Sequence, residues 1–209
     1  MYGLIKMCIL GNSNTGKSSI VFRLARDEFN ANPESTIGAS FFTKIIDNIK
    51  YEVWDTAGQE RYLALCSMYY RNTDIILLTF DVSDLSTVDR LQYYLDKIDV
   101  DKWNRDYRII VVGNKLDLLD QSTNSLSDID QYVKKKLNKY SILNDKSEYI
   151  YLSAKTSENF EKFKNIIRES GLVLVNQKRG YEKSQAIILQ KNTSSSEKDS
   201  NFICNGCGK

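Results

Sequence analysis

Histidine is missing from all 209 residues. That absence excludes serine or cysteine catalysis run by an imidazole, zinc sites built on paired histidines, and haem held by an axial histidine. Cysteine is scarce: Cys8, Cys66, Cys204 and Cys207 are too few and too scattered for a disulfide framework, which fits a reducing cytosolic setting. No apolar run approaches the length needed to span a bilayer. The formal net charge is only +2, so no overall basic field argues for nucleic acid or for acidic partners. Near the start, Lys6 interrupts the apolar stretch Leu4 to Leu10, against a signal peptide, and Tyr2 stands where N-myristoylation requires glycine. Membrane contact is therefore expected from the other end of the chain.

What is present reads as one domain followed by a tail. Leu4 to Leu10 is a short apolar run ending at Gly11, and Lys17 to Arg26 carries a helical pattern, giving strand, glycine loop and helix in order. Phe41 to Ile46 and Ile49 to Trp54 are extended segments separated by Asp47-Asn48, the spacing of a tight hairpin. Ile75 to Val82, Arg108 to Val112 and Tyr149 to Leu152 are apolar enough for strands buried on both faces, each followed by a polar loop and helical sequence. The alternation predicts a mainly parallel sheet with helices on both sides, binding ligands at the carboxyl ends of its strands. The polar stretch Leu119 to Lys146 reads as an expanded surface connection with a helical segment near Asp128 to Lys139. Phe160 to Val175 reads as the last amphipathic helix. After Gln177 the composition turns to Lys, Ser, Asn and Glu, with the patch Thr193-Ser194-Ser195-Ser196, so the expected division is a domain over 1–176 and a flexible tail over 177–209.

Four motifs sit at the ends of predicted strands. Gly11-Asn12-Ser13-Asn14-Thr15-Gly16-Lys17-Ser18, continued by Ser19, has the glycine-loop pattern whose backbone N–H groups and following helix N-terminus cradle phosphates. In that arrangement Lys17 places a point charge at the β and γ phosphates and the Ser18 hydroxyl ligates Mg²⁺. Asp55-Thr56-Ala57-Gly58-Gln59 puts a carboxylate beside this loop to hold Mg²⁺ through water, a Gly58 N–H toward the γ-phosphate, and a Gln59 side chain that can orient an attacking water. Asn114-Lys115-Leu116-Asp117 supplies base specificity. The Asp117 carboxylate can accept from both N1–H and the 2-amino group of guanine, whereas adenine would leave it partly unpaired at a cost of about 1 to 3 kcal/mol or more. Ser153-Ala154-Lys155 adds an N–H for the guanine oxygen and a lysine stem over the base. Taken singly, these motifs also read as a chance glycine loop, a solvated turn and a charged loop. In this order they converge on one nucleotide.

Over roughly residues 4 to 176 the chain resembles the Ras superfamily and, within it, the Rab family. Thr36-Ile37-Gly38-Ala39-Ser40-Phe41 is similar to a Rab first switch. Trp54-Asp55-Thr56-Ala57-Gly58-Gln59-Glu60-Arg61-Tyr62 is similar to a second switch, and Met68-Tyr69-Tyr70-Arg71 to its continuation. Glu34 to Ala39 is most similar to the early-endosomal branch. The resemblance implies a P-loop NTPase of Ras-like fold, a six-stranded mainly parallel sheet with one antiparallel hairpin strand and helices on both faces. It implies a GTP/GDP switch with Mg²⁺ and slow GTP hydrolysis by Gln59-positioned water. Thr36 would ligate Mg²⁺ and sense the γ-phosphate, Phe29 would stack on guanine, and Phe41, Trp54 and Tyr69 would form an aromatic surface for effectors.

The expected partners are a guanine-nucleotide exchange factor, a GTPase-activating protein, GTP-selective effectors and a prenyl-tail escort or dissociation inhibitor. The chain is expected to act as a monomer, without nucleic acid, on the cytoplasmic face of endosome-like membranes, cycling with the cytosol. Cys204 and Cys207 read as geranylgeranyl acceptors, although the ending Cys204-Asn205-Gly206-Cys207-Gly208-Lys209 is neither a CaaX box nor a usual Rab ending, and exposed thiols or half of a metal site remain open. Asn14 and Thr15 make the phosphate loop more polar than in its relatives, and the hairpin is about three residues short of the family's usual length. Neither Glu34 nor Ser35 is an arginine, so no arginine finger is supplied in cis. Two other function classes stay in view: a guanine-nucleotide scaffold with little turnover, which Gln59 and Thr36 argue against, and a phosphate-loop kinase or ATPase, which Asn114 to Asp117 disfavours.

Overall fold

The computed structural model describes residues 3–31, 34–58, 68–98, 106–121, 125–140, 143 and 147–196, with side chains characterised up to residue 180. Its strands are β1 (Gly3–Gly11), β2 (Ala39–Ile46), β3 (Ile49–Thr56), β4 (Ile75–Asp81), β5 (Arg108–Asn114) and β6 (Ser147–Tyr151). The helices are α1 (Lys17–Arg26), α2 (Thr87–Lys97), α3 (Leu126–Leu137) and α4 (Phe160–Ser196), with a 3₁₀ segment at Leu116–Gln121. The six strands lie in the order β2-β3-β1-β4-β5-β6, and β2 pairs antiparallel with β3 while every other pair is parallel. This is the mixed sheet expected from the alternation of apolar runs and helical patterns.

Strand periodicity sorts the central side chains into two cores. Ile5, Met7 and Ile9 of β1, Ile75 and Leu77 of β4, and Ile110 and Val112 of β5 face α1 and α4. Their neighbours Cys8 and Leu10, Ile76 and Leu78, and Ile109 and Val111 face α2 and α3. All seven residues of β4 are buried, the burial expected of a central strand covered on both sides.

The hairpin turn is Asp47-Asn48, with φ of 47° and 61° and Ile46 paired with Ile49. Two central residues with positive φ give the primed turn whose twist matches its strands, and Asp and Asn tolerate that region better than most side chains. Helix α3 begins two residues before the expected Asp128, because Ser125 forms a capping box. Asp128 N donates to Ser125 Oγ (3.2 Å) and Ser125 N donates to Asp128 Oδ2 (3.1 Å). The Ser125 hydroxyl bond also lowers the Asp128 pKa.

The last helix departs from expectation: α4 continues past Val175 and past the anticipated edge at 176 to Ser196. The stretch Lys178 to Lys191 carries Lys, Arg, Gln, Glu, Ala and Leu, whose helix propensity extends the helix although the composition cannot bury a core. Packing against the domain reaches Lys178, whose Nζ donates to Leu4 O (2.9 Å) and pairs with the buried Asp74 carboxylate (2.8 Å). Among the described residues no helix is long and apolar enough to cross a membrane.

Candidate functional site

The carboxyl ends of β1, β3, β5 and β6 open on one cleft of about 350 Å³. Ser13, Asn14, Gly16, Lys17, Ser18, Ser19, Phe29, Thr36, Asn114, Lys115, Asp117, Ala154 and Lys155 line it, together with Asn30, Ala31, Glu34, Ser35, Thr56 and Leu118. Most of the residues singled out from sequence therefore meet in one place. The size suits a nucleotide-sized ligand.

At one end lies the loop between β1 and α1. Gly16 has φ 84°, and a Cβ there would collide with the Asn114 amide, so both backbone and packing require glycine. Lys17 Nζ (residue 6% exposed) donates to Asn12 O at 2.8 Å, and Thr15 Oγ1 donates to the same carbonyl at 3.0 Å. Thr15 is fully buried and supports the loop from behind rather than lining the cleft. Gly58 stands against the loop, since a Cβ on it would lie 2.5 Å from Lys17 Nζ and 2.6 Å from Ser13 N.

Beside Lys17, three oxygens converge from three segments. Ser18 Oγ donates to Asp55 Oδ2 (2.6 Å) and shares a hydrogen bond with Thr36 Oγ1 (3.0 Å), which lies 3.3 Å from the same Asp55 oxygen. Asp55 Oδ1 is buried with no hydrogen-bond partner. Burial pushes the Asp55 carboxyl above the usual carboxylate range, offset in part by the Ser18 hydroxyl, the Lys17 ammonium and the Thr36 hydroxyl. A buried carboxylate with an orphaned oxygen and two hydroxyls is a hard-oxygen set that fits Mg²⁺, which takes few protein ligands and completes its shell with phosphate and water.

The other end of the cleft is built by Asn114, Asp117 and the loop after β6. Asn114 joins two motifs: its Nδ2 donates to Thr15 O (2.9 Å) and its Oδ1 accepts from Ala154 N (3.1 Å). Ser153 is fully buried and does not line the cleft; its hydroxyl donates to Asp117 Oδ1 (2.5 Å), and Lys155 Nζ lies 3.8 Å from Asp117 Oδ2. The Asp117 carboxylate is thereby held in one orientation at the cleft edge. Phe29, 36% exposed, lines the same cleft.

Sequence reasoning missed Arg23, which clamps the base loop from α1: Nε donates to Ala154 O (3.1 Å) and Nη2 to Lys155 O (3.3 Å). It also missed Asp81, whose carboxylate pairs with Lys115 Nζ at 2.7 Å. Neither carries a local signal, because an arginine in a helix's last turns and an aspartate at a strand end are ordinary. Gln59, Cys204 and Cys207 lie outside the described residues.

Away from the cleft, Phe41, Trp54 and Tyr69 form a continuous aromatic row. Phe41 and Trp54 are cross-strand partners with ring centroids 5.0 Å apart, and Trp54 and Tyr69 follow at 5.3 Å. Phe41 is 48% exposed, while Trp54 and Tyr69 are partly buried against the α2/α3 core, so the row is anchored at one end and open at the other.

Fold and site define a phosphate-loop protein of the nucleotide-binding class, with an oriented carboxylate at the far end of the cleft. The Ras family sequence pattern matches residues 6–171. The chain is 40% identical over 163 residues to "GTP-binding protein YPT53" of Saccharomyces cerevisiae, covering 74% of this chain and 70% of that protein. It is 37% identical over 131 residues to "Ras-related protein RABF2b" of Arabidopsis thaliana, covering 61% of this chain and 65% of that protein. To "Ras-related protein Rab11A" of Lotus japonicus it is 36% identical over 137 residues, 64% of this chain and 60% of that protein. The chain belongs to the Ras family of small GTPases, among its Rab members. Such proteins bind GTP and GDP with Mg²⁺, hydrolyse GTP, and work with exchange factors, activating proteins and effectors.

Proposed function

We propose that this chain is a Rab-type GTP/GDP switch in vesicle and endosomal membrane trafficking. The reading rests above all on one observation: a single cleft joins the Lys17 loop and the Ser18, Thr36 and Asp55 oxygens at one end to the oriented Asp117 carboxylate at the other.

In this reading the loop N–H groups and Lys17 hold the β and γ phosphates, and Asp117 accepts from the guanine edge while Phe29 and the Lys155 stem cover the base. Ser18, Thr36 and Asp55 hold Mg²⁺, which when bound neutralises charge on the phosphate oxygens. Gln59 orients the attacking water. With no arginine at Glu34 or Ser35, turnover is slow until a partner supplies one. Thr36 and Gly58 tie their segments to the γ-phosphate and release them after hydrolysis, so the output is a change of shape at the Phe41, Trp54 and Tyr69 row, read by effectors.

Residues beyond the folded unit serve as a tether, with Cys204 and Cys207 as prenyl acceptors that bring the protein to endosome-like membranes and give an escort or dissociation inhibitor its handle. Two lipid chains anchor stably where one does not. Mass spectrometry of protein from its native cell, compared with the double serine variant in membrane fractionation, tests the tether; unmodified thiols on membrane-bound protein overturn it. Identifying the nucleotide that co-purifies, and following phosphate release from added GTP, tests the switch itself. Retention of adenine nucleotide overturns the guanine reading, and GTP held without turnover, even with an activating protein, overturns the enzymatic one.

A further inference from the structure

We infer that Asp81 is a positioning residue for the guanine site, acting through Lys115; the inference deepens the guanine-nucleotide reading and rests on it. Asp81 ends β4 and is paired in register with Asn114, the first residue of the base-reading motif. Val82 N donates to Asn114 O at 3.0 Å, so the two strand ends are locked at this level. The Asp81 carboxylate is almost fully buried and does not line the cleft, whereas Lys115 does. Its Oδ2 pairs with Lys115 Nζ at 2.7 Å, and its Oδ1 accepts from Ser83 N (2.9 Å) and Ser83 Oγ (2.6 Å). Both carboxylate oxygens are thus engaged, and the group is held rigidly enough to fix the ammonium it pairs with.

Lys115 needs that fixing. Its backbone lies at φ 66°, a region that a long side chain adopts only when its surroundings hold it there. Its side chain is 24% exposed and belongs to the residue two before Asp117, the carboxylate whose oxygens must stay open to the guanine edge. An ammonium released from Asp81 is drawn to the next carboxylate along the motif and competes with the base for it. Lys155 already lies 3.8 Å from Asp117. Asp81 therefore does two things: it holds the Lys115 stem along the cleft wall, and it keeps a second cation off the base-reading carboxylate.

The test is a double-mutant cycle on the full chain loaded with fluorescent GDP, using Asp81→Asn, Lys115→Met, which keeps the stem and removes the ammonium, and the pair. Each single change should speed GDP release by about tenfold, the effect of losing one buried charge-assisted contact. The pair should release GDP within about twofold of the faster single variant, because both changes break one interaction. The loss should sit in the release rate, with association and the fraction of active sites unchanged. Independent effects, multiplying to about a hundredfold, overturn the inference, and so does a loss confined to the active fraction, which marks Asp81 as merely structural. If Asp81→Asn alone fails to fold, the pair, which buries no unpaired charge, should fold and behave as Lys115→Met does. A pair that also fails to fold overturns the inference. A wild-type chain that holds no GDP overturns the guanine reading and the inference together, whereas additive variants of a GDP-binding wild type overturn the inference alone.

Discussion

The phenol of Tyr51 fills the notch that Gly171 leaves in α4. Tyr51 is fully buried on β3, its hydroxyl donates to Ile167 O at 3.2 Å, and a Cβ at position 171 would collide with that hydroxyl. Overpacking a close contact of this kind costs about 1 to 3 kcal/mol. Gly171→Ala should therefore lower the Tm by roughly 2 to 12 °C for a domain of this size, and Tyr51→Phe in the same chain should recover part of the loss. Thermal melting of the wild type, both single variants and the double variant checks it; a Gly171→Ala protein as stable as the wild type would mean that α4 sits farther from β3.

The same tyrosine gives an alkaline signature. Burial pushes its pKa from 10.0 up to about 12, with the Asp47 charge adding to the shift. The folded state thus keeps a proton that the unfolded state loses near pH 10, so stability from Tyr51 is complete below that pH and falls away as pH rises toward 12. Denaturant midpoints across this range should fall less steeply in Tyr51→Phe than in the wild type, the remaining slope reflecting other tyrosines such as Tyr140. Equal slopes would count against the buried phenol.

Asp117→Asn should weaken GDP binding at least tenfold, since an amide cannot accept from both guanine donors and its own NH₂ faces them, at a cost of about 1 to 3 kcal/mol. Xanthine nucleotides, with a 2-oxo group in place of the amine, should be admitted instead. Titration with labelled GDP and XDP measures both, and unchanged GDP affinity removes Asp117 from base reading.

Legibility in the sequence followed distance along the chain. The phosphate loop, the Asp47-Asn48 turn and the buried run of β4 are local patterns, and each lies where those patterns indicate. Arg23 and Ala154, 131 residues apart, meet only once α1 and β6 are in place, and Lys178 reaches Asp74 across 104 residues. A single lysine beyond an amphipathic run gives no sign of such a partner. The extent of α4 was hidden for another reason: low hydrophobicity after Gln177 signals the end of the core, but helix propensity carries the backbone on.

Gln59→Leu should retain GTP affinity while slowing hydrolysis, most of all the partner-stimulated rate, because leucine cannot hydrogen-bond the attacking water. Loss of one such contact is worth about 10²-fold or more in rate. Single-turnover phosphate release with and without an activating protein decides it. Equal rates would assign the water to another residue.

The aromatic row makes the last prediction. Trp54 lies at its centre, 5.0 Å from Phe41 and 5.3 Å from Tyr69 by ring centroid, with Lys6 Nζ 6.0 Å from its ring. Trp54 is held in β3 and paired with Phe41 of β2, while Thr36 lies five residues before Phe41, so on the proposed switch reading one end of the row adjoins a segment that responds to nucleotide. Large rigid aromatics contribute contact area at little cost in rotamer freedom, and a central one contributes about 2 kcal/mol or more to a complex. Trp54→Ala should then reduce binding of a GTP-selective partner by roughly thirtyfold or more while leaving nucleotide affinity intact. Because Trp54 is also packed against the α2/α3 core, melting of the GDP-loaded variant must accompany the binding assay. Phe41→Ala, at the exposed end of the row, supplies a second arm that disturbs the core less. Partner binding lost in both variants with nucleotide retained identifies the row as the docking surface. Nucleotide affinity and folding lost together in Trp54→Ala, with Phe41→Ala binding partners normally, would make Trp54 a core residue and move the docking site elsewhere.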